Sequence, residues 1–106
     1  MHYLISEKRT DIAALCRRYR VRHLEVFGSA ARGEDFEPAR SDADFLVEFA
    51  PDAHAGLKEL LEIERELRGI LGREVDLVER RLIEESRNYI RRRHILGQAE
   101  TVYVAR

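Results

Sequence analysis

Several residue types are scarce in this sequence of 106 residues, and each scarcity excludes a class of protein. Cys16 is the only cysteine, so no intrachain disulfide can form. No apolar run approaches the roughly 20 residues of a membrane span. Residues 1–6 also lack the long apolar stretch after a basic start that is typical of a signal peptide. We therefore expect a soluble, cytoplasmic protein without a membrane partner.

A surplus of charge of either sign is also missing. The chain has 19 Lys and Arg against 20 Asp and Glu, whereas a dedicated nucleic-acid binder normally has a clear basic excess. Nucleic acid is therefore not expected as a direct partner. The four histidines show no metal-ligand spacing, which makes zinc improbable; they are His2, His23, His54 and His94.

Periodicity instead predicts helices and strands in alternation. In order, the predicted elements are a helix at 6–19, a strand at 23–27, a turn and short helix at 28–33, a strand at 42–49, a helix at 54–71, a strand at 74–79, a helix at 80–96 and an apolar tail at 102–104. The tail adds a strand or packs on the core. This alternation is typical of an α/β fold with a small sheet flanked by helices, here in one domain spanning residues 1–106.

The two long helices have apolar stripes at helical spacing. Ser6 is the predicted N-cap of the first helix, and Gly72 closes the second. The first stripe consists of Ile12, Leu15, Cys16 and Tyr19, and the second of Leu57, Leu60, Leu61, Leu67 and Leu71. Cys16 is therefore expected to be a buried packing residue and not a reactive thiol.

Two acidic residues interrupt an otherwise apolar strand at 42–49. A period of two places Asp42 and Asp44 on one face, about 6–7 Å apart along the strand. Burying two carboxylates is costly unless arginines, lysines or a divalent cation neutralise them, and Mg²⁺ prefers hard oxygen ligands of this kind. Asp76 lies between apolar residues on a second predicted strand. If the two strands are neighbours, three carboxylates converge and can hold two metal ions for a displacement at phosphorus.

A Gly-Ser turn precedes this acidic pair. Gly28 allows a phosphate to approach the backbone, and Ser29 adds a hydroxyl at the start of a short helix whose free N–H groups favour anions. Arg32, one turn later, can pair with a phosphate or with an acidic neighbour. A Gly-Ser turn alone is weak evidence. Followed by the Asp-x-Asp pair and a third acid, it predicts a phosphate cradle that faces a metal site.

These motifs together resemble a known signature. Residues 27–33, FGSAARG, followed by residues 41–49, SDADFLVEF, are similar to the signature of the DNA polymerase β-type nucleotidyltransferases. The resemblance is strongest to the minimal nucleotidyltransferases (MNT proteins), which are the antitoxin partners of HEPN-domain toxins. It extends from the first helix to the tail around Tyr103. It implies the polymerase β-like nucleotidyltransferase fold, with a small mixed sheet.

The resemblance also implies a chemistry and assigns roles to residues. It implies ATP as the co-substrate and two Mg²⁺ ions, with Gly28 and Ser29 holding the triphosphate; Arg32 and Gly33 are further candidates for nucleotide binding. The expected metal ligands and catalytic residues are Asp42, Asp44 and Asp76. By the same likeness, Asp76 helps to deprotonate the attacking hydroxyl. The chain has no residues left over for an acceptor-binding domain, so we expect a partner or a second copy to present the acceptor, as a homo- or hetero-oligomer.

Three functions follow from this reasoning. The first is an antitoxin enzyme that transfers AMP from ATP to a tyrosine hydroxyl of a cognate HEPN ribonuclease toxin and so inactivates it. The second is a non-catalytic antitoxin that neutralises the toxin by occlusion. The third is a nucleotidyltransferase subunit for a small-molecule or RNA acceptor.

Structural alternatives to these roles stay open. Asp42 and Asp44 can instead belong to an ion-pair network with arginines, and Asp76 can cap a loop at a strand end. Arg32 can be a structural or partner-facing residue. The basic residues 91–94 read as a solvated helix C-terminus, with toxin docking or RNA contact as the alternative. Tyr89 and Tyr103 are expected to pack against the core.

Overall fold

A computed structural model describes residues 1–32 and 42–105 of the chain. Its helices are α1 (Tyr3–Ser6), α2 (Arg9–Arg18), α3 (Ser29–Arg32), α4 (Leu57–Leu71), α5 (Arg80–Glu84) and α6 (Tyr89–Gln98). Its strands are β1 (Val21–Phe27), β2 (Ala43–Phe49), β3 (Val75–Glu79) and β4 (Glu100–Val104). The predicted helix–strand alternation is confirmed, and the tail forms a strand.

The four strands form one mixed sheet in the order β3-β2-β1-β4. The central strand β1 pairs antiparallel with both β2 and β4. β2 and β3 are parallel, because the long helix α4 connects them and returns the chain to the same end of the sheet. The predicted small mixed sheet with flanking helices is therefore confirmed.

Alternation along the strands gives the sheet two apolar faces. The larger core lies on the face that α2 and α4 cover, and it takes its strand residues from alternate positions: Leu24, Val26, Ala43, Phe45, Val47 and Val75. On the opposite face, α5 and α6 bring Ile83 and Ile95 against Leu46. Cys16 is fully buried in the larger core, as predicted, and burial raises the pKa of its thiol to about 12.

The first predicted helix is wrong at its start. The chain forms two helices there, and Ser6 is the last residue of α1 and not the N-cap of α2. The His2 Nδ1 accepts a hydrogen bond from the Leu4 backbone N–H at 3.2 Å, which caps α1 separately and lets Ile5 reach the core. The stripe through Ile12, Leu15 and Cys16 is buried as predicted.

The predicted stripe of α4 is also partly wrong. Leu57 is 72% exposed and Leu61 is 54% exposed, whereas Leu67 and Leu71 are buried. Ile63, which the predicted stripe did not include, is also buried. The buried side of the helix is set by how α4 lies against β3 and α2, and Leu57 and Leu61 lie off that side. Gly72 ends the helix with a φ of 67°, as predicted.

The predicted single helix at 80–96 is two helices. A turn separates α5 from α6, and the Asn88 side chain caps α6 by accepting from the Arg91 backbone N–H at 3.1 Å. Residues 91–94 therefore lie in the middle of α6 and not at a helix C-terminus. Tyr89 is 55% exposed, so its predicted packing against the core is wrong. No helix in the described part of the chain is both long and apolar enough to cross a bilayer.

One charged residue is buried in the described part of the molecule. Glu25, which is 7% exposed, lies on the face of β1 that α5 covers. The Arg80 Nε at the start of α5 lies 3.0 Å from its Oε1, and the His23 Nδ1 lies 3.8 Å from the same atom. This ion pair joins α5 to the centre of the sheet.

Substitution of Arg80 tests how much this ion pair contributes. Arg80→Ala leaves the Glu25 carboxylate buried beside only a histidine, so the free energy of unfolding should fall by about 2–3 kcal/mol in urea denaturation. Arg22→Ala is the control, because it breaks a pair with Glu48 whose side chains are 60% and 40% exposed. The control should cost less than about 1 kcal/mol. Equal losses would show that burial does not distinguish the two pairs.

Candidate active site

The predicted acids meet at one end of the sheet. Phe27, the last residue of β1, pairs with Asp44 near the start of β2. Asp44 in turn pairs with Asp76 on the parallel strand β3. Asp42 immediately precedes β2. The end of β1 and the beginnings of β2 and β3 therefore place Gly28, Asp44 and Asp76 in one row. The two strands that carry the acids are neighbours, which was the condition for the predicted convergence of the carboxylates.

The backbone of Gly28 lies close to the Asp44 side chain. Its φ is +69°, a conformation that side-chain-bearing residues rarely adopt. A Cβ at this position would lie 2.9 Å from the Asp44 Oδ2, closer than a real contact allows. The absence of a side chain at Gly28 is therefore what permits the Asp44 carboxylate to lie against the backbone of the turn.

The turn leads directly into α3, whose first residue is Ser29. The Gly28 carbonyl accepts hydrogen bonds from the Ala31 and Arg32 N–H groups, each at 3.1 Å. Ala30 and Ala31 are buried in the larger core and anchor the short helix. This geometry keeps Gly28 and Ser29 next to the carboxylates.

Charge repulsion and burial act together on Asp44. Its side chain is half-buried, whereas Asp42 and Asp76 are exposed. Burial, followed by the negative charges of Asp76 and Asp42, raises the pKa of the Asp44 carboxyl to about 6. Among the described residues, no cation forms an ion pair with any of the three aspartates. The site is therefore a cluster of negative charge whose mutual repulsion a bound cation would reduce.

The three aspartates do not form a ready-made metal site. Within residues 1–32 and 42–105, no three acidic, histidine or cysteine side chains are grouped closely enough to hold a metal ion. The donor chemistry nevertheless fits Mg²⁺, because carboxylate oxygens are its preferred protein ligands and Asp44 has no counter-charge in that part of the chain. Their roles as metal ligands and catalytic residues stay predictions.

Arg32 and Gly33 are the two other residues predicted to bind the nucleotide, and only Arg32 lies within the described residues. Arg32 is exposed, and its Nη1 donates a hydrogen bond to the Gln98 Oε1 at 2.8 Å, which joins α3 to the end of α6. Gly33 lies outside the described residues. Sequence reasoning missed Gln98, because nothing in the sequence pattern links it to a residue so far along the chain.

A model of the nucleotidyltransferase domain family matches residues 11–96 of the chain. The matched range includes the Gly-Ser turn and all three aspartates. Among curated proteins, a protein of Methanocaldococcus jannaschii described as a candidate protein adenylyltransferase is 41% identical over 66 residues, which is 62% of this chain and 64% of that protein. The protein adenylyltransferase MntA of Thermococcus cleftensis is 44% identical over 61 residues, 58% of each chain. The matches therefore span about three fifths of these relatives.

Solved structures have the same fold. A structure described as a candidate minimal nucleotidyltransferase aligns with a TM-score of 0.71 and 32% identity, covering 94% of this chain and 95% of that one. A chain from a toxin–antitoxin complex with AMP-PNP aligns with a TM-score of 0.67 and 22% identity, covering 92% and 74%. A chain from the complex of a tri-AMPylated Shewanella oneidensis HEPN toxin with its MNT antitoxin aligns with a TM-score of 0.63 and 19% identity, covering 95% and 73%. At these last two identities the likeness concerns the fold alone.

Two glycine substitutions separate backbone strain from displacement of the carboxylate. Gly28→Ala and Gly72→Ala both place a side chain at a φ near +68°, so each should lower the free energy of unfolding by about 1–2 kcal/mol. No atom lies within 4 Å of a Cβ at Gly72, so only Gly28→Ala displaces Asp44. In an NMR titration, we expect the pKa of Asp44 to fall towards its ordinary value in Gly28→Ala only. An unchanged pKa would contradict the fit of the turn to this carboxylate.

The raised pKa of Asp44 also predicts how stability depends on pH. Between pH 3.8 and about 6, the unfolded chain has released the Asp44 proton while the folded chain retains it, so rising pH favours unfolding. Above about pH 6, this decrease in the free energy of unfolding no longer changes with pH. Asn at position 44 does not ionise and avoids the decrease. At pH 7, Asp44→Asn should therefore be more stable than the wild type by about 1 kcal/mol, allowing for solvent screening. Urea denaturation across this range measures the difference, which should vanish below about pH 4; a difference independent of pH would contradict the raised pKa.

Proposed function

The chain belongs to the nucleotidyltransferase domain family, and from that premise we propose that it is an Mg²⁺-dependent antitoxin enzyme. It transfers AMP from ATP to a tyrosine hydroxyl of a cognate HEPN ribonuclease toxin, which inactivates the toxin. The observation that carries the proposal is the row of Gly28, Asp44 and Asp76, in which a glycine turn lies directly against a half-buried carboxylate.

The similar proteins support this choice of reaction and acceptor. MntA of Thermococcus cleftensis is named a protein adenylyltransferase, and one structural neighbour is a chain from a complex that contains an AMPylated HEPN toxin. Another neighbour comes from a toxin–antitoxin complex with the nucleotide analogue AMP-PNP. Because identities to these complexes are low and the curated relatives are longer than the matched region, the activity and partner are proposals for this chain.

The transfer is a displacement at the α-phosphorus of ATP. The tyrosine oxygen forms a new bond to that phosphorus, the bond to the bridging oxygen of the β-phosphate breaks, and pyrophosphate leaves. Bound Mg²⁺ would supply positive charge that offsets the phosphate oxygens and the carboxylates. Gly28 and Ser29 bind the triphosphate at the N–H groups of the turn, and Asp42 and Asp44 hold the metal ions.

The exposure of Asp76 supports a role for it toward the acceptor. It lies on β3, an edge strand of the sheet, and its side chain is exposed. A hydroxyl that approaches from solvent can therefore reach Asp76 more easily than the half-buried Asp44 on the neighbouring strand. We assign to Asp76 a part in accepting the proton of the attacking hydroxyl, together with a share in metal binding.

Intact-mass spectrometry tests the proposed reaction. After incubation of the chain with ATP, Mg²⁺ and the proposed cognate HEPN-domain toxin, the HEPN protein should gain the mass of one or more AMP units. Asp44→Asn should slow the transfer by at least about a hundredfold, because it removes charge that the site needs in the transition state. Asp52→Asn is the matched control, since Asp52 is exposed and pairs with Arg20 far from the row of acids.

Two outcomes would contradict the enzyme proposal. Equal transfer by the wild type and Asp44→Asn would remove the acids from the mechanism. No transfer, with toxicity suppressed equally by the wild type and by Asp44→Asn, would make the chain a binding antitoxin that acts by occlusion. Transfer of AMP to RNA or to a small molecule, with none to the HEPN protein, would replace the acceptor while retaining the chemistry.

A further inference from the structure

The solvent side of α6 carries an apolar and basic surface that the fold does not use. Tyr89, Ile90, Arg93 and His94 line a depression of about 380 Å³, and we name these four residues the α6 face. Residues spaced by four lie on the same side of a helix, which brings Tyr89 beside Arg93 and Ile90 beside His94. Tyr89 is 55% exposed and Ile90 is 69% exposed.

The helix buries a different side against the sheet. Ile95 is buried in the smaller core, and Leu96 packs against the same cluster. The α6 face is therefore not the side that holds α6 in place, and its two large apolar side chains stay mostly exposed to solvent in the folded chain. Leu82, on the adjacent helix α5, is also 52% exposed. Exposed apolar side chains among charged ones are typical of a surface that a protein partner covers.

The charge of α6 opposes its own helix dipole. Its first half contains Arg91, Arg92 and Arg93, and no acid lies in its first turn. Cations near a helix N-terminus cost stability, since that end of the dipole is already positive. Neither Arg91 nor Arg93 forms an ion pair with a carboxylate of the described residues. By contrast, the arginines that pair with acids elsewhere include Arg18, Arg20, Arg22, Arg68, Arg80 and Arg81.

We propose that the α6 face docks an acidic protein surface that inserts an apolar side chain into the depression. Charge complementarity selects an acidic partner, because the positive charge of the first half of α6 is uncompensated on this side of the fold. Two observations favour a protein over RNA. The chain has no basic excess, with 19 Lys and Arg against 20 Asp and Glu, and the more exposed of the two large apolar side chains on the face is the aliphatic Ile90. This proposal rests on the proposed function in one respect: it takes the docked protein to be the AMP acceptor.

The position of α6 suits the delivery of an acceptor. Gln98, the last residue of the helix, accepts the hydrogen bond from Arg32 at the Gly-Ser turn. From Tyr89 to Gln98 the helix rises by roughly 14 Å, at about 1.5 Å per residue. A partner bound to the α6 face is therefore held within one helix length of the candidate nucleotide site.

Binding measurements without nucleotide test the docking surface independently of catalysis. The probe is the purified HEPN-domain toxin that the proposed function takes as the cognate partner, with affinity measured by biolayer interferometry. Ile90→Ala and Arg93→Glu should each weaken binding by roughly tenfold or more, as interface anchors do. Leu57→Ala and Arg65→Glu are the matched controls on α4, because both residues are exposed, and they should leave affinity unchanged.

The variants are chosen so that unfolding cannot imitate the expected result. Arg93→Glu changes an exposed side chain that forms no ion pair with a described carboxylate, so it should leave the melting temperature nearly unchanged. Ile90→Ala shortens an exposed side chain that contributes little to the core. Binding of ATP and Mg²⁺ at the row of acids should raise the melting temperature of the wild type, and both variants should show the same rise, because neither residue lies in that row.

Each outcome separates docking from chemistry. Weaker binding in both α6 variants supports the docking surface even if AMP transfer is never observed. Unchanged binding overturns it, even if the HEPN protein is AMPylated normally. A wild-type chain that does not bind the HEPN protein also overturns it. Binding of a labelled single-stranded oligoribonucleotide that only the α6 variants lose would overturn the choice of a protein partner.

Discussion

The close approach of the Asp44 carboxylate to the Gly28 backbone is the constraint on which the site depends. It requires a residue without a side chain at a positive φ, immediately after β1. It also requires the register that sets Phe27 opposite Asp44, because a shift of one residue would turn Asp44 towards the larger core. The parallel pairing of β2 with β3 then brings Asp76 into the same row. The apolar cores on the two faces of the sheet hold the strands in this register.

The same row of acids works against the stability of the free protein. Three aspartates lie near one another, and no described cation pairs with them, so the site retains negative charge that the fold does not neutralise. α6 presents the complementary situation, with cations near its N-terminus that oppose the helix dipole. The uncompensated charge in each region lowers the free energy of unfolding. Such destabilising arrangements are typical of sites and surfaces that bind a ligand or a partner. Glu25 shows the contrast, because its burial is matched by Arg80.

Local sequence patterns predicted most of the helices and strands, and they predicted that Gly28, Asp44 and Asp76 would lie together. The features that they did not predict are set by tertiary contacts. Alternation around Asp44 and Asp76 correctly placed them on strands, and the strand order then made them neighbours. Periodicity failed where packing chooses among apolar residues: Leu57 and Leu61 continue a leucine pattern yet lie outside the buried side of α4. It also failed where side-chain caps divide a helix, as at His2 and Asn88. The contacts of Arg32 with Gln98 and of Glu25 with Arg80 join distant parts of the chain, and no local signal encodes them.

The position of β4 has a consequence for how the sheet responds to local opening. β1 lies inside the sheet, but the partner on one of its sides is β4, the last strand of the described fold. If β4 separates locally, β1 presents an open edge of unpaired backbone groups, the kind of edge at which chains aggregate. The row of acids needs only β1, β2 and β3, so such an opening would leave the candidate site assembled. Local loss of β4 would therefore promote association between chains before it disturbed the site.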